Sequence, residues 1–179
     1  MPHVIVTGPE STGKTTLAAA LAARADGTFV PEYPRGYLQA LGRLADASDF
    51  AHFVVANAHL PAAAKAREKR RGKRKRDRLV VQDTGAEVLK LWHEDKFGPC
   101  PAFLDGAFAA QAPDVYLLCR PDLPWEYDPL REDPHRRWEL FGKFRGLLDA
   151  RSARVIEVRG FDDARLGSAV DDLRAAGIL

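Results

Sequence analysis

Residues 8–15 read Gly-Pro-Glu-Ser-Thr-Gly-Lys-Thr, and this segment constrains the fold more than any other. Two glycines with four residues between them, followed by Lys and Thr, make the phosphate-binding loop pattern. The flanks agree with it. Val4-Ile5-Val6-Thr7 reads as a strand entering the loop, and residues 14–25 read as a helix leaving it, with Leu17 and Leu21 on one side. Glycine lets the backbone curl so that its N–H groups point inward at phosphate oxygens, and the helix N-terminus adds partial positive charge. The candidate nucleotide ligands are Gly8, Glu10, Ser11, Thr12, Gly13, Lys14, Thr15 and Thr16. Lys14 can reach β- and γ-phosphates, and the Thr15 hydroxyl suits Mg2+.

The rest of the chain has the rhythm that such a loop requires. Short apolar runs recur at 28–30, 79–81, 115–118 and 155–158, separated by helix-like stretches. The helical stretches expected are 35–44, one starting at Asp49 and carrying Phe50, Phe53 and Val54, and 163–176. Pro61 is expected to kink or interrupt the second of these. Uniformly apolar strands imply helices on both faces. The fold class expected is α/β: a P-loop NTPase with a doubly wound, parallel, five-stranded sheet, one domain over residues 1–179.

Composition excludes several alternatives. Of 179 residues, 46% are apolar and 29% charged, enough apolar material for a core and too much for disorder. No run of about 18 apolar residues offers a membrane span. The N-terminus lacks the features of a secretory leader, and Cys100 and Cys119 form no disulfide framework, so the expected compartment is the cytoplasm. The net charge of +2 conceals a basic run, Lys65–Arg78, with ten basic and two acidic residues. The run lacks interleaved aromatics, so a solvated face is favoured over a contact with nucleic acid.

Three further clusters carry chemistry. Asp83 ends the apolar run Leu79-Val80-Val81-Gln82, where it could hold Mg2+, take a proton from an acceptor hydroxyl, or merely cap the next helix. Glu32 follows the second strand in Val-Pro-Glu-Tyr-Pro-Arg, near the end of the sheet that faces ligand. It could bind a sugar hydroxyl or act as base, and Arg35 could meet a phosphate or pair with Glu32. The third cluster, residues 121–137, contains four prolines, Trp125, Tyr127, Asp128, Arg131, Arg136 and Arg137. Arginines on a loop over a phosphate site can neutralise charge on a transferring phosphoryl group. The histidines show no metal spacing, and Phe141, Phe144, Leu147 and Leu148 read as core.

Taken in order, the phosphate loop, Pro-Glu-Tyr-Pro-Arg at 31–35, Asp83-Thr84, Leu91-Trp92, Phe97-Gly98 and Pro-Asp-Leu-Pro-Trp through Leu130-Arg131 resemble one family. It is the ribosylnicotinamide (nicotinamide riboside) kinase domain of the bacterial NAD-biosynthesis regulator, with its stand-alone P-loop ATPase relatives. The resemblance spans roughly residues 3–170. It implies a fold of nucleoside/nucleotide-kinase type, with ATP and Mg2+ at the loop and a mobile lid at about 121–137. It also implies lid arginines at Arg131 and Arg136, a stacking residue at Trp125, and Arg165 near the nucleotide base. Tyr33, Arg35 and Asp128 join Glu32 and Trp125 as candidate acceptor ligands. The adenylyltransferase and DNA-binding domains of the full regulator are not expected within these 179 residues. Gly85 stands where kinase members often carry an acid, and Glu87, two positions on, is expected to point away. The function expected is phosphoryl transfer from ATP to a small nucleoside-like acceptor. The alternative is an ATPase or nucleotide-dependent module that contacts nucleic acid or protein through residues 65–78.

Overall fold

Val, Ile and Leu dominate the strands, and their burial on both faces draws them into the centre of the molecule. The computed structural model describes residues 1–70 and 78–179. Its sheet contains β1 (His3–Thr7), β2 (Thr28–Val30), β3 (Val80–Asp83), β4 (Val115–Cys119) and β5 (Val155–Val158). All neighbours are parallel, in the order β2-β3-β1-β4-β5. Register is set by apolar pairs such as Val4 with Val81 and Val115. The order reverses at β1, which lies between β3 and β4, so the crevice beyond the strand ends opens beside the loop that follows β1.

Helices cover both faces. On one face, α1 (Lys14–Arg24) and α7 (Asp162–Ala175) bury Leu17, Leu21, Val170 and Leu173 against Val4, Val6 and Leu117. The other face carries α2 (Tyr33–Leu41), α3 (Asp49–Arg70), α4 (Ala86–Phe97), α5 (Ala102–Ala110) and α6 (Arg137–Asp149). There Phe108 and Leu148 pack on Ile5 and Tyr116, and Leu38, Phe50, Phe53, Leu89 and Leu104 form a separate apolar cluster.

Two expected helices differ in the structure. The expected 35–44 helix is Tyr33–Leu41: Pro34 fits the first turn, where its missing N–H costs nothing, and Gly42 ends the helix in the left-handed region at φ 64°. α3 runs unbroken through a buried Pro61. Packing holds both sides of it: Phe50 and Phe53 lie in the aromatic cluster, and Glu68 bonds Thr28 and Arg78. Of the basic run at 65–78, residues 71–77 lie outside the described residues. No helix among the described residues is long and apolar enough to cross a membrane.

Candidate functional site

The loop between β1 and α1 is shaped by positions that no other residue type fills well. Gly8 has φ 131°, and a Cβ there would stand 2.7 Å from the Cys119 carbonyl at the end of β4. Gly13 is left-handed at φ 70°, and a Cβ would meet Leu123 at 2.8 Å. The Thr12 hydroxyl donates to the Pro9 carbonyl at 2.9 Å, and Lys14 Nζ donates to the same oxygen at 2.6 Å. From beneath, the Arg165 guanidinium donates to the carbonyls of Thr12 (2.9 Å) and Gly160 (2.9 Å) and to Asp122 (2.8 Å). Arg165, expected near a nucleotide base, is buried with its guanidinium committed to loop backbone and Asp122.

Three carboxylates converge on this loop. Asp83 at the end of β3 is 1% exposed, and neither of its oxygens has a partner in hydrogen-bond geometry among the described residues. Burial raises its pKa, against the pull of the Thr15 hydroxyl and the charges of Lys14 and Arg35. Glu32 precedes α2 and is also raised by burial, with Lys14 the largest opposing influence. Glu10 in the loop itself is raised by burial as well. Charge at the site is thus poised to accept a cation. Asp83 and Thr15 fit Mg2+, because two buried carboxylate oxygens lack partners beside a hydroxyl. Among the described residues no cluster of three or more His, Cys, Asp or Glu is arranged to hold a metal. Mg2+ binds through one or two protein groups, substrate phosphates and water.

The turn after Asp83 corrects one expectation. Glu87 is fully buried, and its side chain curls back along α4. Its Oε1 accepts from the Gly85 N–H at 3.1 Å and its Oε2 from Gln111 Nε2 at 2.6 Å. A Cβ at Gly85 would collide with the Glu87 carboxylate and stand 2.6 and 2.8 Å from the Gln111 amide. A side chain at position 85 would have to displace the bonded Glu87 and Gln111 side-chain ends. The spacing of 200° between residues two apart on a helix describes Cα directions, and a long side chain overrides it.

Residues 121–136 form an irregular strap across the crevice, as their prolines require. Arg131 Nη1 donates to the Glu126 carbonyl at 2.7 Å and to Ser11 Oγ at 3.4 Å. Arg136 lies elsewhere: its guanidinium grips Asp95 with two bonds, 2.9 and 2.7 Å, and also pairs with Asp133 and Glu139. Trp125 packs under Arg137 at 5.8 Å, and Asp128 accepts from Arg35 at 2.7 Å. Tyr33 turns to His52 and Tyr37. Arg137, named in the 121–137 cluster without a role of its own, donates to the carbonyls of Ser11 (3.2 Å) and Leu123 (2.8 Å). Three arginines within seven positions gave no local signal to separate their roles.

A cavity of about 820 Å³ joins these parts. One end is lined by residues 8–17 of the loop and helix and by Phe161, Asp163 and Leu166 of the β5–α7 corner. The other end is lined by Glu32, Arg35, Val88, Leu91, Trp92 and Asp95, and Arg131 of the strap also borders the cavity. Glu10, Ser11, Thr12, Lys14, Thr15, Thr16, Glu32, Arg35, Arg131 and Arg165 all border it; Asp83, Tyr33, Trp125, Asp128 and Arg136 do not. The second end was half visible in sequence: Val88, Leu91, Trp92 and Asp95 follow helical spacing, and only Leu91-Trp92 stood out as a motif.

A polyphosphate loop between a central parallel strand and a helix is the layout of P-loop kinases and ATPases, and fold and site together place the chain in that ATP-dependent class. A family model described as an AAA domain matches residues 3–165, and the chain belongs to that family. Among solved structures it is similar to NadR protein in complex with NR, at TM-score 0.75 and 25% identity, covering 97% of this chain and 51% of that one. A second NadR structure, in complex with NAD and AMP-PNP, gives TM-score 0.72 and 22% identity over 97% of this chain and 49% of that one. Thymidylate kinase from Ehrlichia chaffeensis shares the fold at TM-score 0.67 and 12% identity, with 96% and 98% covered. The chain thus spans about half the length of the NadR chains it matches. Comparison with curated proteins gives no match.

Proposed function

We propose that this protein transfers the γ-phosphoryl group of ATP to a hydroxyl of a small nucleoside-like acceptor, with nicotinamide riboside the first candidate. The observation that carries the reading is one continuous cavity lined both by the phosphate loop and by Glu32, Trp92 and Arg131. The similarity to a NadR structure holding NR supports the choice of acceptor. A pure ATPase has no use for a second, half-apolar chamber.

In this reading the loop N–H groups and Lys14 orient the triphosphate at one end. Asp83 and the Thr15 hydroxyl would hold Mg2+, which when bound would neutralise negative charge on the triphosphate. With Asp83 assigned to the metal, Glu32, which borders the cavity, is the carboxylate left to take the acceptor proton. Its pKa, raised by burial, makes it a stronger base than an ordinary carboxylate. The acceptor oxygen bonds the γ-phosphorus as the bond to the β,γ-bridging oxygen breaks, the proton passes to Glu32, and ADP leaves. Arg131 offsets charge on the equatorial oxygens. ATP consumption measured against a panel of nucleosides tests the proposal. Turnover should depend on a nucleoside, and nicotinamide riboside should give the largest response.

A further inference from the structure

The phosphate loop holds the lid by two side chains that no phosphate needs. Glu10 Oε2 accepts the backbone N–H of Glu132 at 2.9 Å and of Asp133 at 3.3 Å. Ser11 Oγ accepts the N–H of Glu126 at 2.9 Å and a guanidinium N–H of Arg131 at 3.4 Å. The two residues therefore clasp the lid on both sides of Arg131. A third tie, Arg35 to Asp128 at 2.7 Å, fastens the same segment to the acceptor side. As a carboxylate, Glu10 repels a triphosphate and is a poor nucleotide ligand. Its acceptor oxygen serves the lid instead.

We infer that Glu10 and Ser11 are positioning residues for phosphoryl transfer, which hold residues 126–133 so that Arg131 faces the junction between the nucleotide and acceptor ends of the cavity. The inference rests on the kinase reading above. Displacing a catalytic group by about 1 Å can cost on the order of 100-fold in rate, so a loosened clasp should act on kcat. ATP affinity should hold or rise, because a negative charge beside the phosphates is gone.

The test is a double-mutant cycle with one readout that needs no turnover. Glu10→Ala, Glu10→Gln, Arg131→Ala and Glu10→Ala/Arg131→Ala are compared for kcat and for KM of ATP. Amide hydrogen exchange across 124–134 is followed in the full chain with AMP-PNP present. Glu10→Ala should lower kcat about 10- to 100-fold with KM for ATP no higher, and speed exchange at the amides of Glu132 and Asp133. Glu10→Gln, which keeps an acceptor oxygen, should recover most of both. The double variant should be no slower than Arg131→Ala alone. Additive losses in the double variant, or unchanged exchange at 132–133 in Glu10→Ala, would overturn the inference. If the unaltered protein phosphorylates no acceptor, the kinase reading fails, and the exchange result alone then decides whether Glu10 holds the lid.

Discussion

Lys14 and Asp83 show how residues at this site trade stability for chemistry. Lys14 is only partly buried and donates to a loop carbonyl, so Lys14→Ala should leave the fold intact. It should lower turnover by about 100-fold or more, as loss of a preorganised cation at a charged transition state does. Turnover with matched circular dichroism checks this. Asp83 behaves in the opposite sense. Its pKa is raised in the folded chain, so the folded state keeps a proton at pH values where the unfolded chain has lost it. Its favourable contribution is present below the unfolded pKa and is lost as pH rises through the folded one. At neutral pH the buried carboxylate therefore weighs against folding. Asp83→Asn should raise Tm, by roughly 2–4 °C per kcal/mol recovered, in magnesium-free buffer. The same variant should lose most of its turnover and its response to Mg2+. Calorimetry and a magnesium titration decide it; a lower Tm with normal turnover would remove Asp83 from the metal role.

At the scale of elements, the lid separates two arginines that the sequence treats alike. Arg131 borders the cavity, whereas Arg136 is gripped by Asp95, Asp133 and Glu139. Arg131→Ala should cut kcat about 100-fold with little change in Tm. Arg136→Ala should lower Tm and leave kcat within a few-fold, because it removes a clamp between the lid end, α4 and α6. Kinetics beside thermal melts separate the two outcomes. The strands, the phosphate loop and Asp83 were legible because each is written locally: apolar runs, a spaced glycine pair, a carboxylate at a strand end. The end of α2 was written in Gly42, although the expected helix ran past it to 44. What sequence could not show was contact between distant segments. The bonds Arg35–Asp128, Arg136–Asp95 and Glu10–Glu132 span from 41 to 122 positions. Glu87 was misjudged for a related reason: its partner Gln111 is 24 residues away.

For the molecule as a whole, the fold gives the site its direction. The strand order puts the ends of β1 and β3 side by side, so the loop after one and the carboxylate of the other meet without any long-range motif. The helices on the α4 side then add a chamber that the nucleotide end alone would not need. The central claim is that this chamber receives a phosphoryl acceptor. It is tested most directly by incubating the protein with magnesium, γ-labelled ATP and nicotinamide riboside, and following the label by mass spectrometry. The expected product is heavier than the nucleoside by one phosphoryl group, formed in step with ADP and absent with Lys14→Ala. Label appearing only as inorganic phosphate, at the same rate with and without any nucleoside, would contradict it.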